Sequence, residues 1–335
     1  MDKIRIIFRV DGDFKIGLGH LVRSLTLAKS LREEGFEIGF LTMTPLVEEA
    51  AKRQGYPGRP IKDKFGWPDT LRANLIITDI NHTPADYMRR LRATGARLVT
   101  FDDLGQGRDL ADLIVDANLP SSSGSTGCLY GPDYIILRKE FSQYARREKI
   151  IEREIRQILV SMGGSDPSNL TLKVAEALKG LDLPVLTNII IGKAFGQKEE
   201  LLKSVEGGER FRIEEDVLDI SEKMYRADLA VTSAGVTMFE LACLGTPGVI
   251  IAQDEVQAKN LIPFKEQGLF IDLGLLPTID KIRESVKRLA LDANARLEMS
   301  RYAKKFVDGQ GLFRVTRAIK SILGKEKKLC LEKSF

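Results

Sequence analysis

The chain has 335 residues, more than one hydrophobic core usually serves, so its length predicts two domains of roughly 150 residues each. A formal net charge of +4 is too small to indicate nucleic-acid binding, which needs a concentrated basic patch. The three cysteines are far apart and form no Cys-x-x-Cys pair, which argues against a disulfide scaffold or a structural zinc site. We therefore expect a cytoplasmic protein with reduced thiols and no membrane span.

Short β-branched runs alternate with helical patterns along the first half of the chain. Strands are predicted at residues 4–10, 37–42, 75–79, 97–101 and 113–116. The clearest helix covers residues 21–34, where apolar residues recur at helical spacing until Gly35 stops the helix. The stretch 120–127, rich in serine and glycine, is predicted to be a loop.

The second half repeats this plan. Its predicted strands are residues 157–162, 185–191, 229–232 and 248–251, and its clearest helices are residues 169–178, 237–244 and 256–267. This alternation predicts an α/β fold with two Rossmann-like, doubly wound parallel sheets. Hydrophobic patterning lapses in the charged segment 146–156, which predicts an N-terminal domain at 1–148, a C-terminal domain at 149–325 and a basic tail at 326–335.

The loop after the first strand carries the strongest functional signal, because ligands of doubly wound sheets bind beyond the carboxyl ends of the strands. His20, one of only two histidines, falls at the start of the following helix, and Arg23 shares its face. We predict that His20 is reactive; the alternative is that it only caps the helix. The residues of this loop and helix predicted to contact a ligand are Asp11, Gly17, Gly19, His20 and Arg23.

Two further loops join a strand to a helix through small residues. One includes Gly163, Gly164 and Ser165, and the other includes Gly235 and then Thr237. Backbone N–H groups at a helix start can bind an anion, although the first loop is equally good turn chemistry. Glu240 lies one turn inside the second helix, where it either accepts bonds from ribose hydroxyls or stabilises the first turn of its helix.

The segment from Asp79 to His82 ends another predicted strand. Asp79 and Asn81 are candidate hydrogen-bonding partners for a substrate, whereas His82 better fits a surface loop. The chain contains no Walker motif, no Ser-His-Asp order and no metal-ligand spacing. We therefore expect neither a metal nor a cofactor.

These loops, in this order, resemble the inverting UDP-sugar hydrolase of pseudaminic acid synthesis and the spore-coat polysaccharide proteins, and more distantly the MurG-like glycosyltransferases. The matching segments are residues 16–23, 101–104, 115–118, 130–138, 163–169 and 233–240, so the resemblance covers most of the chain. It implies a GT-B fold, in which two facing Rossmann-like domains hold a UDP-sugar in the cleft between them.

The resemblance also implies a reaction, in which water releases UDP from UDP-2,4-diacetamido-2,4,6-trideoxy-β-L-altrose with inversion at the anomeric carbon. The family's catalytic histidine matches His20, which would be the general base for that water. The uridine and diphosphate contacts would fall on Gly164, Ser165, Gly235, Thr237 and Glu240. Helix N-termini would neutralise the leaving diphosphate without a metal.

The sequence departs from the family pattern at two positions. Val236 stands where the family usually has a second glycine, and Val256 replaces the asparagine that precedes Gln257. Gln257 itself matches and is predicted to contact the substrate. Two other functions stay open, a GT-B glycosyltransferase that passes the sugar to an alcohol and a non-catalytic nucleotide-sugar binding protein. We predict a UDP-sugar as the ligand, and no nucleic acid, integral membrane segment or obligate protein partner.

Overall fold

A computed structural model of the chain describes residues 3–13, 18–118, 127–164, 166–192, 194–217, 219–262 and 267–324. These residues form two compact units. Unit 1 consists of the described residues of Met1–Arg138 and Gln310–Phe335, and unit 2 of those of Lys139–Gly309. In the part of the chain that is described, no helix has both the length and the apolar character needed to cross a membrane.

Unit 1 contains a seven-stranded parallel sheet in the order β3-β2-β1-β4-β5-β6-β7. Its strands are β1 (Arg5–Val10), β2 (Glu37–Thr42), β3 (Gly58–Pro60), β4 (Leu75–Asp79), β5 (Arg97–Phe101), β6 (Leu113–Asp116) and β7 (Cys128–Tyr130). The helices between them are α1 (Gly19–Glu33), α2 (Pro45–Arg53) and α3 (Ala85–Ala93). The strand order reverses direction between β1 and β4, the position where doubly wound folds bind ligands.

Unit 2 contains a six-stranded parallel sheet in the order β10-β9-β8-β11-β12-β13. Its strands are β8 (Gln157–Ser161), β9 (Leu186–Ile191), β10 (Phe211–Glu215), β11 (Leu229–Ser233), β12 (Gly248–Ala252) and β13 (Ile271–Leu275). Its helices are α4 (Lys139–Ala145), α5 (Leu170–Lys179), α6 (Lys198–Ser204), α7 (Ile220–Arg226), α8 (Val236–Leu244), α9 (Glu255–Asn260), α10 (Ile279–Leu291) and α11 (Ala293–Phe306). The predicted pair of doubly wound parallel sheets is confirmed.

The core of unit 1 forms because apolar residues of α1 face the strands at helical spacing. Leu27, Ala28 and Leu31 are fully buried, and the rings of Phe8 and Phe40 stack beneath them at 5.1 Å. Gly35 has a φ of +90°, the left-handed conformation that ends a helix and favours glycine, as its position predicted.

The last described helix, α12 (Gly311–Ile322), returns to unit 1. Val315 and Ile319 are buried in the unit 1 core, and the hydroxyl groups of Ser30 and Thr316 lie 3.1 Å apart. The predicted division assigned this helix to the C-terminal domain. A predicted pattern of apolar residues indicates that a helix packs on a core but not which core it packs on.

The predicted boundary segment 146–156 lies within unit 2 rather than between the units. Arg296 is fully buried and donates hydrogen bonds to the carbonyl oxygens of Glu152 (2.7 Å) and Arg153 (2.9 Å). Lys149 donates to the carbonyl oxygens of Tyr225 and Ala227. Hydrogen bonds from charged side chains hold the segment 146–156 against the rest of unit 2. For this reason, its lack of hydrophobic patterning does not mark a linker between the units.

Other differences from the predicted elements are local. Helix α9 spans six residues instead of the predicted 256–267, and residues 263–266 of that prediction lie outside the described residues. The strands that the sequence did not indicate, β3, β7, β10 and β13, are at or next to the edges of their sheets. Edge strands are less buried, so their hydrophobic alternation is weaker. The predicted loop 120–127 and tail 326–335 lie outside the described residues, except for Gly127.

Candidate functional site

His20 is the second residue of α1 and pairs with a buried carboxylate. Its Nδ1 lies 2.7 Å from Oδ1 of Asp79, at the carboxyl end of β4. Leu18 occupies the N-cap position of α1, and no side chain of the described residues caps the helix there, so His20 is not its N-cap. Because a carboxylate ion only accepts hydrogen bonds, Nδ1 carries a proton, and in the neutral imidazole Nε2 is then the nitrogen with the free lone pair.

Arg23 and Ser24 complete the surroundings of Asp79. Arg23 donates from Nη2 to Oδ1 (2.5 Å) and from Nε to Oδ2 (3.0 Å), and the Ser24 hydroxyl donates to Oδ2 at 3.1 Å. Burial by itself raises the pKa of Asp79, but the charges of Arg23 and His20 and their hydrogen bonds outweigh it. They hold the pKa of Asp79 well below its usual range, so the carboxylate stays ionised beside His20.

The predicted proximity of His20 and Arg23 on one helix face is therefore present, with Arg23 Nη2 at 3.3 Å from His20 Nδ1. Both groups are donors, so this approach is not a hydrogen bond; the shared acceptor, Asp79, holds the two together. The side chain of Asp79 is only 1% exposed, and that of Arg23 is 12% exposed. Their polar atoms face His20 and its neighbours, and direct contact between either of them and a substrate stays a prediction.

Two more carboxylates extend this cluster along the edge of the sheet. Arg23 Nη1 donates to Asp102, which follows β5 directly. The N–H of Asp102 donates to the carbonyl of Val115 at 2.9 Å, just beyond the last paired residues of β5 and β6, and the carboxyl group of Asp102 lies within hydrogen-bonding reach of that of Asp116. Burial, together with the charge of Asp102, raises the pKa of Asp116 to about 6.

Arg108 lies near Asp116 but does not neutralise it. Its Nη1 is 3.9 Å from Asp116 Oδ2, while the same nitrogen donates to the carbonyl of Asp103 at 3.0 Å. Its Nη2 donates to the hydroxyl of Tyr130, also at 3.0 Å. The cluster therefore continues from His20 through Asp79, Arg23 and Asp102 to Asp116.

The hydrogen bonds of Asp11 and Asn81 go to groups other than His20. Asp11 accepts hydrogen bonds from Arg9 (2.6 Å), from the backbone N–H of Met43 (2.7 Å) and from Thr42 (3.2 Å), and so joins the ends of β1 and β2. Burial opposes ionisation of Asp11, but these bonds and the charge of Arg9 lower its pKa. Asn81 is exposed, and its carbonyl accepts from the N–H of Leu104 at 2.8 Å. Gly19 opens α1, and Gly17 lies outside the described residues.

The loop between β8 and α5 combines a tight backbone approach with a helix cap. Gly163 has a φ of +88°, and a Cβ on Gly192 would lie 2.3 Å from the carbonyl oxygen of Gly164. The buried carboxylate of Asp166 accepts from the N–H groups of Leu170 (3.0 Å) and Thr171 (2.7 Å). The protein therefore already supplies a negative charge at the start of α5. Ser165 lies outside the described residues.

The start of α8 differs from that of α5. Its N-cap is Gly235, and among the described residues no side chain caps it. The first N–H groups of a helix lack intrahelical acceptors, so they can bind an anion there. Thr237 lies half-buried in this first turn, whereas Glu240 is only 8% exposed. Of the two predicted anion-binding loops, the α8 loop is the one whose helix start no described side chain caps.

Gln257 takes part in a connection between two loops. Its side-chain oxygen accepts from the N–H of Gln253 at 3.1 Å, and Gln253 Nε2 donates to the carbonyl of Met162 at 2.6 Å. The hydroxyl of Ser168 donates to the carbonyl of Gln253 at 3.0 Å. Gln257 thereby orders the loop after β12 against the loop after β8. The neighbouring Val256 is 66% exposed.

Sequence reasoning missed Asp102, Asp116, Arg108 and Gln253 as site residues. Asp102 and Asp116 each stand at the carboxyl end of a strand, and adjacent parallel strands bring such positions together. That signal was in the sequence, but the pairing of β5 with β6 was needed to apply it. Within the described ranges, no three His, Cys, Asp or Glu side chains are grouped so that they could hold a metal ion.

The chain has relatives among known proteins, although no protein-family model matches it. It is 27% identical over 342 residues to the spore coat polysaccharide biosynthesis protein SpsG of Bacillus subtilis, covering 94% of this chain and 98% of that protein. It is 32% identical to the uncharacterized protein MJ1062 of Methanocaldococcus jannaschii, over 81% of this chain and 62% of that protein. It is 26% identical to the UDP-2,4-diacetamido-2,4,6-trideoxy-beta-L-altropyranose hydrolase of Campylobacter jejuni, over 52% of this chain and 66% of that protein.

Solved structures with the same fold include glycosyltransferases. MurG of Acinetobacter baumannii superposes with a TM-score of 0.70 at 16% identity, covering 96% of this chain and all of that one. The calicheamicin glycosyltransferase CalG4 superposes with a TM-score of 0.65 at 16% identity, covering 97% of this chain and 99% of that one. The predicted resemblance is confirmed: the chain is related in sequence to SpsG and to the Campylobacter hydrolase, and it has the α/β GT-B fold of MurG.

Proposed function

We propose that this protein is an enzyme of polysaccharide biosynthesis that acts on a UDP-linked sugar and hydrolyses it with inversion at the anomeric carbon. The observation that carries the proposal is the hydrogen bond between His20 Nδ1 and the ionised Asp79. This pairing leaves Nε2 as a proton acceptor at the edge of the unit 1 sheet. The sequence similarity to the Campylobacter hydrolase supports the same reaction class and suggests its diacetamido-trideoxy sugar as the substrate.

In the proposed reaction, His20 Nε2 takes a proton from water as the water oxygen attacks the anomeric carbon. The bond from that carbon to the β-phosphate oxygen breaks, and its electron pair leaves with UDP. Attack opposite the leaving group inverts the configuration. Asp79 keeps the imidazole in the required tautomer and stabilises the imidazolium that forms.

For the nucleotide, we propose that the start of α8 in unit 2 binds the diphosphate. The uncapped N–H groups after Gly235 and the helix dipole favour negative charge, which increases on the leaving oxygen during the reaction. Thr237 and Glu240 are proposed contacts of the nucleotide, and Gln257 of the sugar. Gly164 supports the adjoining loop in this proposal. A cytoplasmic location and the absence of a metal requirement remain predictions.

The test is the variant His20→Asn, which keeps a polar side chain but has no ring nitrogen to accept the proton. We expect the rate of UDP release from UDP-2,4-diacetamido-2,4,6-trideoxy-β-L-altrose to fall by about 10² to 10⁴-fold, the usual contribution of a general base. UDP binding, measured by calorimetry, should stay close to wild type. The matched control is His82→Asn, which alters the other histidine, an exposed one. UDP release by His20→Asn at the wild-type rate would exclude His20 as the base.

A second candidate is transfer of the sugar to an alcohol, since Nε2 can accept a proton from a hydroxyl group as well as from water. The glycosyltransferase fold supports it. The two candidates differ in what happens without an acceptor. Free sugar with UDP, identified by mass spectrometry and with its anomeric configuration followed by proton NMR, supports the hydrolase. UDP release only after an alcohol is added supports the transferase, and binding without any turnover would leave a nucleotide-sugar binding protein.

A further inference from the structure

Arg23 is held from two sides, and only one side belongs to the His20–Asp79 pair. Two of its nitrogens donate to Asp79, and the third, Nη1, donates to Asp102. Its guanidinium also lies over the ring of Phe101, 5.1 Å from the centroid. Since Nη2 is only 3.3 Å from His20 Nδ1, a rotation of the guanidinium would bring a donor against the N–H of the imidazole. The position of Arg23 therefore influences which His20 nitrogen carries the proton.

Asp102 is placed for this role by an unusual backbone. Its φ of +46° lies in the left-handed region, which is unfavourable for most residues and is tolerated best by glycine, asparagine and aspartate. Such strained positions tend to persist where function needs them. One carboxylate oxygen of Asp102 accepts from Arg23, and the other, Oδ1, is buried without a hydrogen-bond donor among the described residues.

The carboxyl group of Asp116 lies within hydrogen-bonding reach of the Asp102 side chain. Around Asp116, the other facing groups are the backbone N–H of Asn118 at 3.2 Å and the guanidinium of Arg108 at 3.9 Å. Neither provides a close charged partner, because Arg108 donates instead to Asp103 and Tyr130. Two carboxyl groups side by side with one unpaired oxygen are satisfied when they share a proton, since the protonated one then donates to the other.

We propose that Asp102 and Asp116 are positioning residues for His20: they share one proton, and the charge left on Asp102 fixes Arg23 against Asp79. Arg23 then holds the Asp79 carboxylate in the orientation that keeps the proton on His20 Nδ1. Asp116 serves as the neutral member of the pair and gives Asp102 a hydrogen bond. This inference rests on the proposed function of His20 and adds three residues to it, Arg23, Asp102 and Asp116.

The test compares Asp102→Asn, Arg23→Lys and the double variant. Asparagine suits the positive φ of residue 102, so the first change removes the charge without adding backbone strain. We expect kcat to fall by at least about 10-fold, as misplacement of a catalytic group does, with KM changed by less than about twofold. Because Asp102 acts through Arg23, the double variant should be no slower than Arg23→Lys alone. Losses that multiply would overturn the proposal.

A second readout does not depend on turnover. The two ring nitrogens of His20 have distinct ¹⁵N NMR shifts that report which one carries the proton, and His82→Gln leaves His20 as the sole histidine. In the neutral form of the imidazole, obtained from spectra recorded across a pH series, we expect the proton on Nδ1 in the wild type and in Asp116→Asn, whose amide can donate to Asp102. A mixture of tautomers is expected in Asp102→Asn, with circular dichroism checking that it is folded. Wild-type ¹⁵N shifts in Asp102→Asn would overturn the proposal.

The two readouts separate this inference from the proposed function. If the wild type releases no UDP from any UDP-sugar but Asp102→Asn still changes the His20 tautomer, the hydrolase proposal fails and the positioning role stands. If the wild type hydrolyses the sugar and Asp102→Asn matches it in both kcat and ¹⁵N shifts, the positioning role fails alone. The variant Asp86→Asn, which removes an exposed carboxylate on α3, should match the wild type in both measurements.

Discussion

The carboxyl pair should make the stability of the protein depend on pH in a way that one substitution removes. The pKa of Asp116 is raised from its ordinary 3.8 to about 6 by burial and by the charge of Asp102. Between these two values the folded protein binds more protons at Asp116 than the unfolded chain does. The contribution of Asp116 to stability is therefore fully present below pH 3.8 and is lost as the pH rises through 6.

The size of this effect follows from the shift in pKa. About two pKa units at about 1.4 kcal/mol each amount to about 3 kcal/mol over the whole range. Between pH 4.5 and 7.5, the contribution of Asp116 to the free energy of unfolding changes by about 2 kcal/mol, and this is the part that the experiment measures. Solvent screening should reduce it little, because Asp116 is only 2% exposed.

The substitution is Asp116→Asn, which is nearly isosteric, does not ionise and can still donate a hydrogen bond to Asp102. The free energy of unfolding, measured with urea at pH 4.5 and 7.5, should fall less with pH in the variant than in the wild type. The variant therefore gains about 2 kcal/mol relative to wild type over this interval. Asp86→Asn removes an exposed carboxylate and is the control. A difference between Asp116→Asn and wild type that is the same at both pH values would refute the shared-proton model.

Three further predictions concern the His20–Asp79 pair and the loop between β8 and α5. Asp79→Asn should lower kcat by about 10²-fold or more without weakening UDP binding, because the imidazole loses the acceptor that sets its tautomer. Steady-state kinetics measure kcat and calorimetry measures UDP binding; an unchanged kcat would contradict the role of the His20–Asp79 pair. Gly192→Ala should displace the backbone at Gly164 and lower the free energy of unfolding by about 1–3 kcal/mol. The control Gly196→Ala, whose new methyl group meets open space, should not lower it, and equal stabilities of the two variants would contradict the close approach of Gly192 to Gly164. Asp166→Ala should cost about 1 kcal/mol in urea unfolding by uncapping α5, and a stability equal to wild type would show that another group caps this helix.

Much of the fold was predictable because buried parallel strands have a strong sequence signal. The predicted ranges for β1, β2, β4, β5, β6, β8, β9, β11 and β12 agree with the structure to within one residue at each end. The helices with clear apolar spacing or glycine stops were predicted nearly as closely: α8 agrees to within one residue at each end, and α1 begins two residues before its predicted start and ends one residue before its predicted end. Short outer strands and the end of α9 carried weaker patterns, and these are where the predictions differ.

For the candidate site too, local features were predictable from the sequence and long-range contacts were not. The sequence by itself determined that His20 begins a helix after a strand, because glycine, strand and helix signals are local. It could not determine what His20 contacts. Asp79 is 59 residues away and Asp102 a further 23, and only the pairing of β1 with β4, of β4 with β5 and of β5 with β6 brings them to one edge. Partners of charged side chains depend on strand order, which is a long-range property, and so tertiary structure alone decided that Asp79, Arg23, Asp102 and Asp116 form one chain of contacts leading to His20.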